Sequence, residues 1–150
     1  WHHNSGIKGP WDTMANDQGD VRPLPFKTTP VNVGETPSEH VKWPDGKTSK
    51  QKFVNIRAEI WWLMRSRFER TYEFVTKKAV HPLEDLISIP NHPKLIQELS
   101  MPFVDYNDKG KVQLESKKDM RHRGVKSPDF GDALALSLYI PPKRLTVWFR

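Results

Sequence analysis

At 150 residues the chain can hold one small domain, or part of one, around a single core. It has no cysteine, which excludes disulfide staples and thiolate metal sites, and no apolar run reaches membrane-spanning length. Lysine and arginine outnumber aspartate and glutamate by 24 to 18, a net charge of +6 that favours polyanionic partners without naming one.

The first residue is Trp1, so the chain reads as a fragment, a processed product or a trimmed piece, and its N-terminal residues show no basic-then-apolar signal pattern. Residues 1–49 are expected to be irregular, a remnant of earlier strands with a surface loop, because residues such as Gly6, Pro10, Gly19, Pro25, Pro30 and Pro37 interrupt every periodic run. Two short elements are expected there: a turn or short helix from Pro10 to Asn16, and an edge strand from Val21 to Phe26 weakened by its prolines. Gly46-Lys47-Thr48 is not a phosphate loop, since Val41 stands where the earlier glycine is needed. His2-His3-Asn4 lacks the strand–strand–helix context of an HNH nuclease.

The strongest helix is predicted from Lys50 to about Arg70. Phe53, Ile56, Ile60, Leu63, Met64 and Phe68 recur at three- and four-residue spacing, with Lys52, Arg57, Arg65 and Arg67 turned elsewhere. Trp61 and Trp62 point about 100° apart, which assigns one to the core and the other to a sheet edge or an interface. Glu59 reads as a salt-bridge partner of a nearby arginine rather than a catalytic carboxylate. Phe74-Val75 and Leu86-Ile87-Ser88-Ile89 are short strand candidates, with a turn at His81-Pro82 between them and another at His92-Pro93. A short helix is expected from Pro93 to Ser100, with Leu95, Ile96 and Leu99 inward. A hairpin should follow, Phe103 to Tyr106 and Lys111 to Leu114, because Asn107-Asp108-Lys109-Gly110 provides a glycine for the positive-φ position of a short loop. Ser116 with Asp119 marks the start of a short helix ending at Gly124.

The stretch from Gly124 to Leu136 concentrates the chemistry. Ser127 suits a helix N-cap and Pro128 the first helical position, and Asp129 and Asp132 then share one face of the first turn. The apolar run from Ala133 to Ile140 reads as a buried helix stopped by Pro141-Pro142, and residues 143–150 as a last strand. Two carboxylates opening a buried helix are costly unless compensated. A metal ion meets that need; N-capping with a neighbouring lysine or arginine also meets it. Lys117, Lys118, Arg121, Arg123 and Lys126 crowd the approach to Asp129, either as a rim for phosphates or as a solvated helix face, with His122 at the surface among them.

The run from Glu115 to Leu134, with its Ser-Lys, Arg-Gly and Lys-Ser-Pro-Asp elements, resembles the carboxy-terminal signature of tailed-bacteriophage terminase large subunits. Asn55-Ile56-Arg57-Ala58-Glu59-Ile60-Trp61-Trp62 is similar to an upstream helix of that family, and Leu95-Ile96-Gln97-Glu98-Leu99 before Pro102-Phe103 to a passage between the two. The resemblance covers roughly residues 53 to 140, in the family's order. It implies an α/β domain of RNase H-like nuclease fold, incomplete on its N-terminal side, with residues 50–150 as its carboxy-terminal portion. It also implies metal-dependent cleavage of concatemeric double-stranded DNA during genome packaging in the host cell cytoplasm. The cofactor would be Mg²⁺ or Mn²⁺ in a two-metal site, since two cations ~4 Å apart activate the attacking water and stabilise the leaving oxygen. Asp129 and Asp132 match the family's carboxy-terminal metal ligands, and Lys117, Lys118, Arg121, Arg123 and Lys126 become DNA contacts. The implied partners are a packaging ATPase domain, a small terminase subunit and a portal.

The chain departs from the family upstream. The family's glycine-rich turn could be Ser5-Gly6-Ile7-Lys8-Gly9, but His2, His3 and Asn4 precede it where an aspartate is expected, and Asp12, Asp17 and Asp20 are the nearby acids. A catalytically incomplete DNA-binding or motor-docking module is therefore the alternative reading.

Overall fold

The computed structural model describes residues 31–39 and 41–139, and the backbone of residues 13–15 and 21–23. The chain divides into two units, Trp1–Asn32 and Val33–Arg150. In the first, β1 (Thr13–Ala15) pairs antiparallel with β2 (Val21–Pro23), Met14 opposite Arg22. The turn or helix expected across residues 10–16 is thus a strand where it is described, because a ladder satisfies backbone groups that one helical turn leaves open. The expected extension of β2 to Phe26 lies outside the described residues.

In the second unit, the helix expected from Lys50 is two helices. α1 (Ser49–Lys52) is capped by Thr48, whose side chain accepts from the Gln51 N–H while the Gln51 side chain accepts from the Thr48 N–H. α2 (Ile56–Lys77) starts afresh behind Asn55, whose side-chain Oδ1 accepts from the Ala58 N–H at 2.9 Å. Between them the chain is extended, because Phe53 forms a parallel bridge with Val112 and the Val54 N–H donates to the Val112 carbonyl. Phe53 is fully buried, with Trp43 edge-on at 5.0 Å and Trp62 tilted against it at 6.1 Å.

α2 runs to Lys77 because neither glycine nor proline interrupts it, and Lys78 ends it in the left-handed region at φ 53°. Phe74 and Val75, expected in a strand, are therefore helical and exposed. Only the first half of α2, from Ile56 to Met64, is buried. A 3-10 turn at Leu83–Asp85 follows, and the Ile87 N–H then donates to Thr71 Oγ1 at 2.9 Å. Residues 86–89 follow α2 without pairing as a strand among the described residues.

α3 (Pro93–Leu99) buries Leu95 as expected and leaves Leu99 half-buried, but Ile96, expected inward, is exposed and the carboxylate Glu98 is buried. β3 (Val104–Tyr106) and β4 (Val112–Leu114) form the expected hairpin, Asp105 opposite Gln113, with Gly110 at φ 67°. α4 (Lys117–His122) begins at Ser116, whose Oγ accepts from the Asp119 N–H at 3.1 Å. α5 (Asp129–Ser137) packs on both α2 and α3, and α2 also covers β4. It buries one face, through Gly131 and Ala135, while Phe130 and Leu136 are exposed; it is not buried all round. It ends before Pro141-Pro142, which lie outside the described residues together with the strand expected over residues 143–150.

Phe53 thus joins α1, α2 and β4. Phe53→Ala should cost about 3–5 kcal/mol in a urea unfolding titration, the range for deleting a fully buried phenyl ring; a loss below about 1 kcal/mol would remove this ring from the centre of the core.

Candidate active site

α5 begins without a side-chain cap of its own. Pro128 occupies the N-cap position, and the Ser127 hydroxyl, expected to cap, is buried with no hydrogen-bond partner among the described residues. The exposed amides are met from another helix instead: Glu98 Oε2 accepts from the Phe130 N–H at 2.7 Å and the Gly131 N–H at 3.1 Å. The turn also lies tight on α2, since a Cβ at Gly131 would stand 2.8 Å from Trp61 Cη2.

Asp129 and Asp132 both fall in this first turn, in different settings. Asp132 is half-buried and fully engaged. Its Oδ1 accepts from Trp61 Nε1 at 2.8 Å and Arg57 Nε at 3.1 Å, and its Oδ2 lies 2.8 Å from Lys117 Nζ. Burial pushes the Asp132 carboxyl up, but Lys117, Arg57 and Trp61 outweigh it, so its pKa lies below the ordinary aspartate value. Asp129 is largely exposed, with Oδ1 3.9 Å from the same Lys117 Nζ. The two carboxylates therefore converge on one cationic group.

Arg57 also donates from Nη1 to the Glu115 carbonyl at 2.8 Å, which ties α2 to the chain entering α4. Arg57 and Trp61 are four residues apart on one face of α2, a spacing that could have paired them in the sequence. Glu98 had no comparable signal, being one polar residue in an apolar helix pattern.

The five expected DNA contacts divide. Lys117 sits on Asp132, and Arg123 forms a two-pronged ion pair with Glu115, Nε to Oε1 and Nη2 to Oε2 both at 2.7 Å, while stacking over Phe103. Lys118, Arg121 and Lys126 are exposed, and no carboxylate among the described residues pairs with them. Glu59 is not ion-paired as expected. It is buried, accepts from Ser49 Oγ at 2.6 Å and leaves Oε2 without a partner among the described residues. Burial raises its pKa. Among the described residues no three histidine, aspartate or glutamate side chains form a metal-ligating group. Asp12, Asp17 and Asp20 lie outside the described residues.

The Arg123 hydrogen bonds hold the Glu115 carboxyl down to about 2, against the opposing effect of burial. A carboxylate with a lowered folded pKa stabilises the fold at neutral pH, and that contribution is lost as pH falls from 4.5 towards 2. In Arg123→Ala the Glu115 side chain should titrate back towards its ordinary value in a carboxyl-carbon NMR titration. A value still near 2 would assign the shift to another cause.

No protein-family model matches the chain, and no curated protein matches it. Solved structures do. The nuclease domain of the large terminase subunit gp2 of bacterial virus Sf6 is 27% identical with a TM-score of 0.67, over 73% of this chain and 51% of that one. A mutant of that domain with manganese and beta-thujaplicinol is 26% identical at a TM-score of 0.68, over 75% of this chain and 53% of that one. A mutant of the same domain with calcium is 27% identical at 0.65, over 72% and 51%. The chain thus spans about half the length of the solved domains it matches. At this similarity, and with its mixed helices and strands, the chain carries part of the RNase H-like nuclease fold found in the large terminase subunit of that phage.

Proposed function

We propose that the chain is the nuclease portion of a phage DNA-packaging terminase, a hydrolase that cleaves concatemeric double-stranded DNA with a divalent cation held by Asp129 and Asp132. The observation that carries the reading is the convergence of these two carboxylates on Lys117 Nζ, at 3.9 and 2.8 Å, in the first turn of one helix. An ammonium group already stands between them, so their oxygens can share a cation, and carboxylate oxygens are hard donors suited to Mg²⁺ or Mn²⁺. When bound, such ions would activate water for attack on a phosphodiester and neutralise the leaving oxygen. The relatives solved with manganese and calcium support a divalent metal, and a two-metal site remains part of the proposal.

The protein's own groups have separable tasks. Trp61 and Arg57 orient Asp132 by holding Oδ1, so that Oδ2 faces Lys117. Asp129, exposed and weakly paired, can turn towards a ligand without breaking a buried contact. Lys118, Arg121 and Lys126 are the cations available to DNA phosphates near this turn; Lys117 would reach them only by leaving Asp132, and Arg123 by leaving Glu115. Their contacts would position the duplex without reading its sequence. The packaging ATPase domain, small terminase subunit and portal are proposed partners on the family resemblance.

The exposed Lys118, Arg121 and Lys126, which no carboxylate among the described residues pairs with, also support a second reading, a DNA-binding or motor-docking module with an incomplete nuclease centre. One experiment separates the two. With Mn²⁺, the wild-type chain should nick supercoiled plasmid, and Asp132→Ala and Asp129→Ala should each lower the rate by about a hundredfold or more, as expected when an ion-positioning ligand is removed. Equal nicking by wild type and variants would remove this pair from the mechanism. Inert wild-type protein whose DNA affinity falls steeply with salt would select the second reading. In that assay, replacing Lys118, Arg121 and Lys126 together should reduce the salt slope by ~0.9 for each phosphate these side chains neutralise.

A further inference from the structure

Glu98 belongs to none of the proposed metal or DNA contacts, yet it is a charged side chain only 4% exposed. Its place is explained by what α5 lacks. A helix beginning at Pro128 has amides that need acceptors, and the local candidate, Ser127 Oγ, supplies none. Glu98 Oε2, which is far away in sequence, takes both the Phe130 and Gly131 amides. These are the two residues between Asp129 and Asp132. The contact is braced on both sides: Lys94 Nζ stands 3.8 Å from Glu98 Oε1 and 4.6 Å from the Phe130 ring centroid, and the His92 ring stacks on Phe130 at 5.3 Å. On the opposite side Trp61 lies against Gly131 and holds Asp132.

From this geometry we propose that Glu98 is a positioning residue for the candidate metal pair. By fixing the peptide segment between Asp129 and Asp132, it sets the direction in which the first turn presents both carboxylates. The proposal rests on the metal reading of Asp129 and Asp132. It assigns Glu98 no contact with metal, DNA or the reacting atoms. A carboxylate suits the task because an anion at a helix N-terminus is favoured by the unpaired amides and by the helix dipole, and one oxygen can serve both donors. An amide carbonyl can accept the same two hydrogen bonds; a methyl group cannot.

The test is a Mn²⁺ titration of the whole 150-residue chain, following paramagnetic broadening of the Asp129 to Asp132 amides, with unfolding midpoints measured in EDTA. Wild type and Glu98→Gln should broaden at Mn²⁺ concentrations within about threefold of each other. Glu98→Ala should require about tenfold more or beyond, the usual range for removing a partner that orients a ligand. A weakening that Glu98→Gln rescues, at midpoints matched by comparing temperatures equally far below unfolding, supports positioning rather than bulk stability. Equal Mn²⁺ response in wild type and Glu98→Ala overturns the proposal. Should Glu98→Ala fail to fold, Glu98→Asp keeps the charge one methylene short of the two amides and is expected to weaken Mn²⁺ in the same direction; an unchanged response there also overturns it. If wild type shows no broadening, the metal reading fails, and amide exchange decides the positioning claim separately. Faster exchange at Phe130 and Gly131 in Glu98→Ala, restored in Glu98→Gln, retains the link between Glu98 and the turn, whereas unchanged exchange removes it.

Discussion

The arrangement around Asp132 is the constraint on which the rest of the site depends. A half-buried carboxylate is unfavourable without partners, and here three donors from two other helices, Arg57 and Trp61 of α2 and Lys117 of α4, converge on it. Satisfying one charge therefore fixes three helices relative to one another. Asp129 is in the same turn but carries none of this structural duty. The two carboxylates thus differ in freedom: one is held by three donors, and its neighbour has only a long contact with Lys117.

The same economy governs the basic residues. A net charge of +6 and a dense run of cations before Asp129 suggest a broad positive face. Part of that charge is engaged in ion pairs and hydrogen bonds within the fold instead. Arg57 spans Asp132 and the Glu115 carbonyl, Lys117 lies on Asp132, and Arg123 is forked onto Glu115. Arginine suits these places because its planar fork satisfies two acceptors at once while its face packs on a ring, as Arg123 does on Phe103. In the run before Asp129 the exposed cations with no carboxylate partner among the described residues are a smaller group, Lys118, Arg121 and Lys126.

Short-range signals in the sequence translated directly. The hairpin over Val104–Leu114, the Ser116 cap and the acidic opening of α5 each follow from a few adjacent residues whose preferences no distant contact opposes. Misreadings came where a distant partner decided. The apolar period from Phe53 to Phe68 hides the break at Phe53–Asn55, which exists because Val112 pairs with that segment from across the chain. Ile96, expected inward, is exposed, while Glu98 is drawn in by amides on α5. Ser127 carries the right chemistry for a cap and the wrong geometry, since Pro128 takes the cap position and leaves the Ser127 hydroxyl without a hydrogen bond among the described residues. The carboxylate pair itself was legible; the side chains that orient it were not recognised as its partners.

The first half of α2 explains how so small a unit can hold such a site. Arg57 and Trp61 share the face turned to α5, while Glu59, about 200° round the helix from Arg57, faces α1 and accepts from Ser49. Ser49 Oγ in turn accepts from Trp43 Nε1, so the polar group on this far face is embedded in a short chain of hydrogen bonds. A third side, through Ala58 and Trp62, lines an apolar groove of about 300 Å³ against Leu99 and the hairpin. Three faces of three consecutive turns thus serve the site, the neighbouring helix and the core in parallel. Beyond Met64 the helix is less buried: the chain that follows it lies along one side, where Thr71 Oγ1 accepts from the Ile87 N–H and Arg70 pairs with Asp85, and local ion pairs such as Arg65 with Glu69 occupy its outer surface. Stability and site geometry are therefore coupled through Arg57 and Trp61, because the contacts that orient Asp132 are also the contacts that seat α5 on α2.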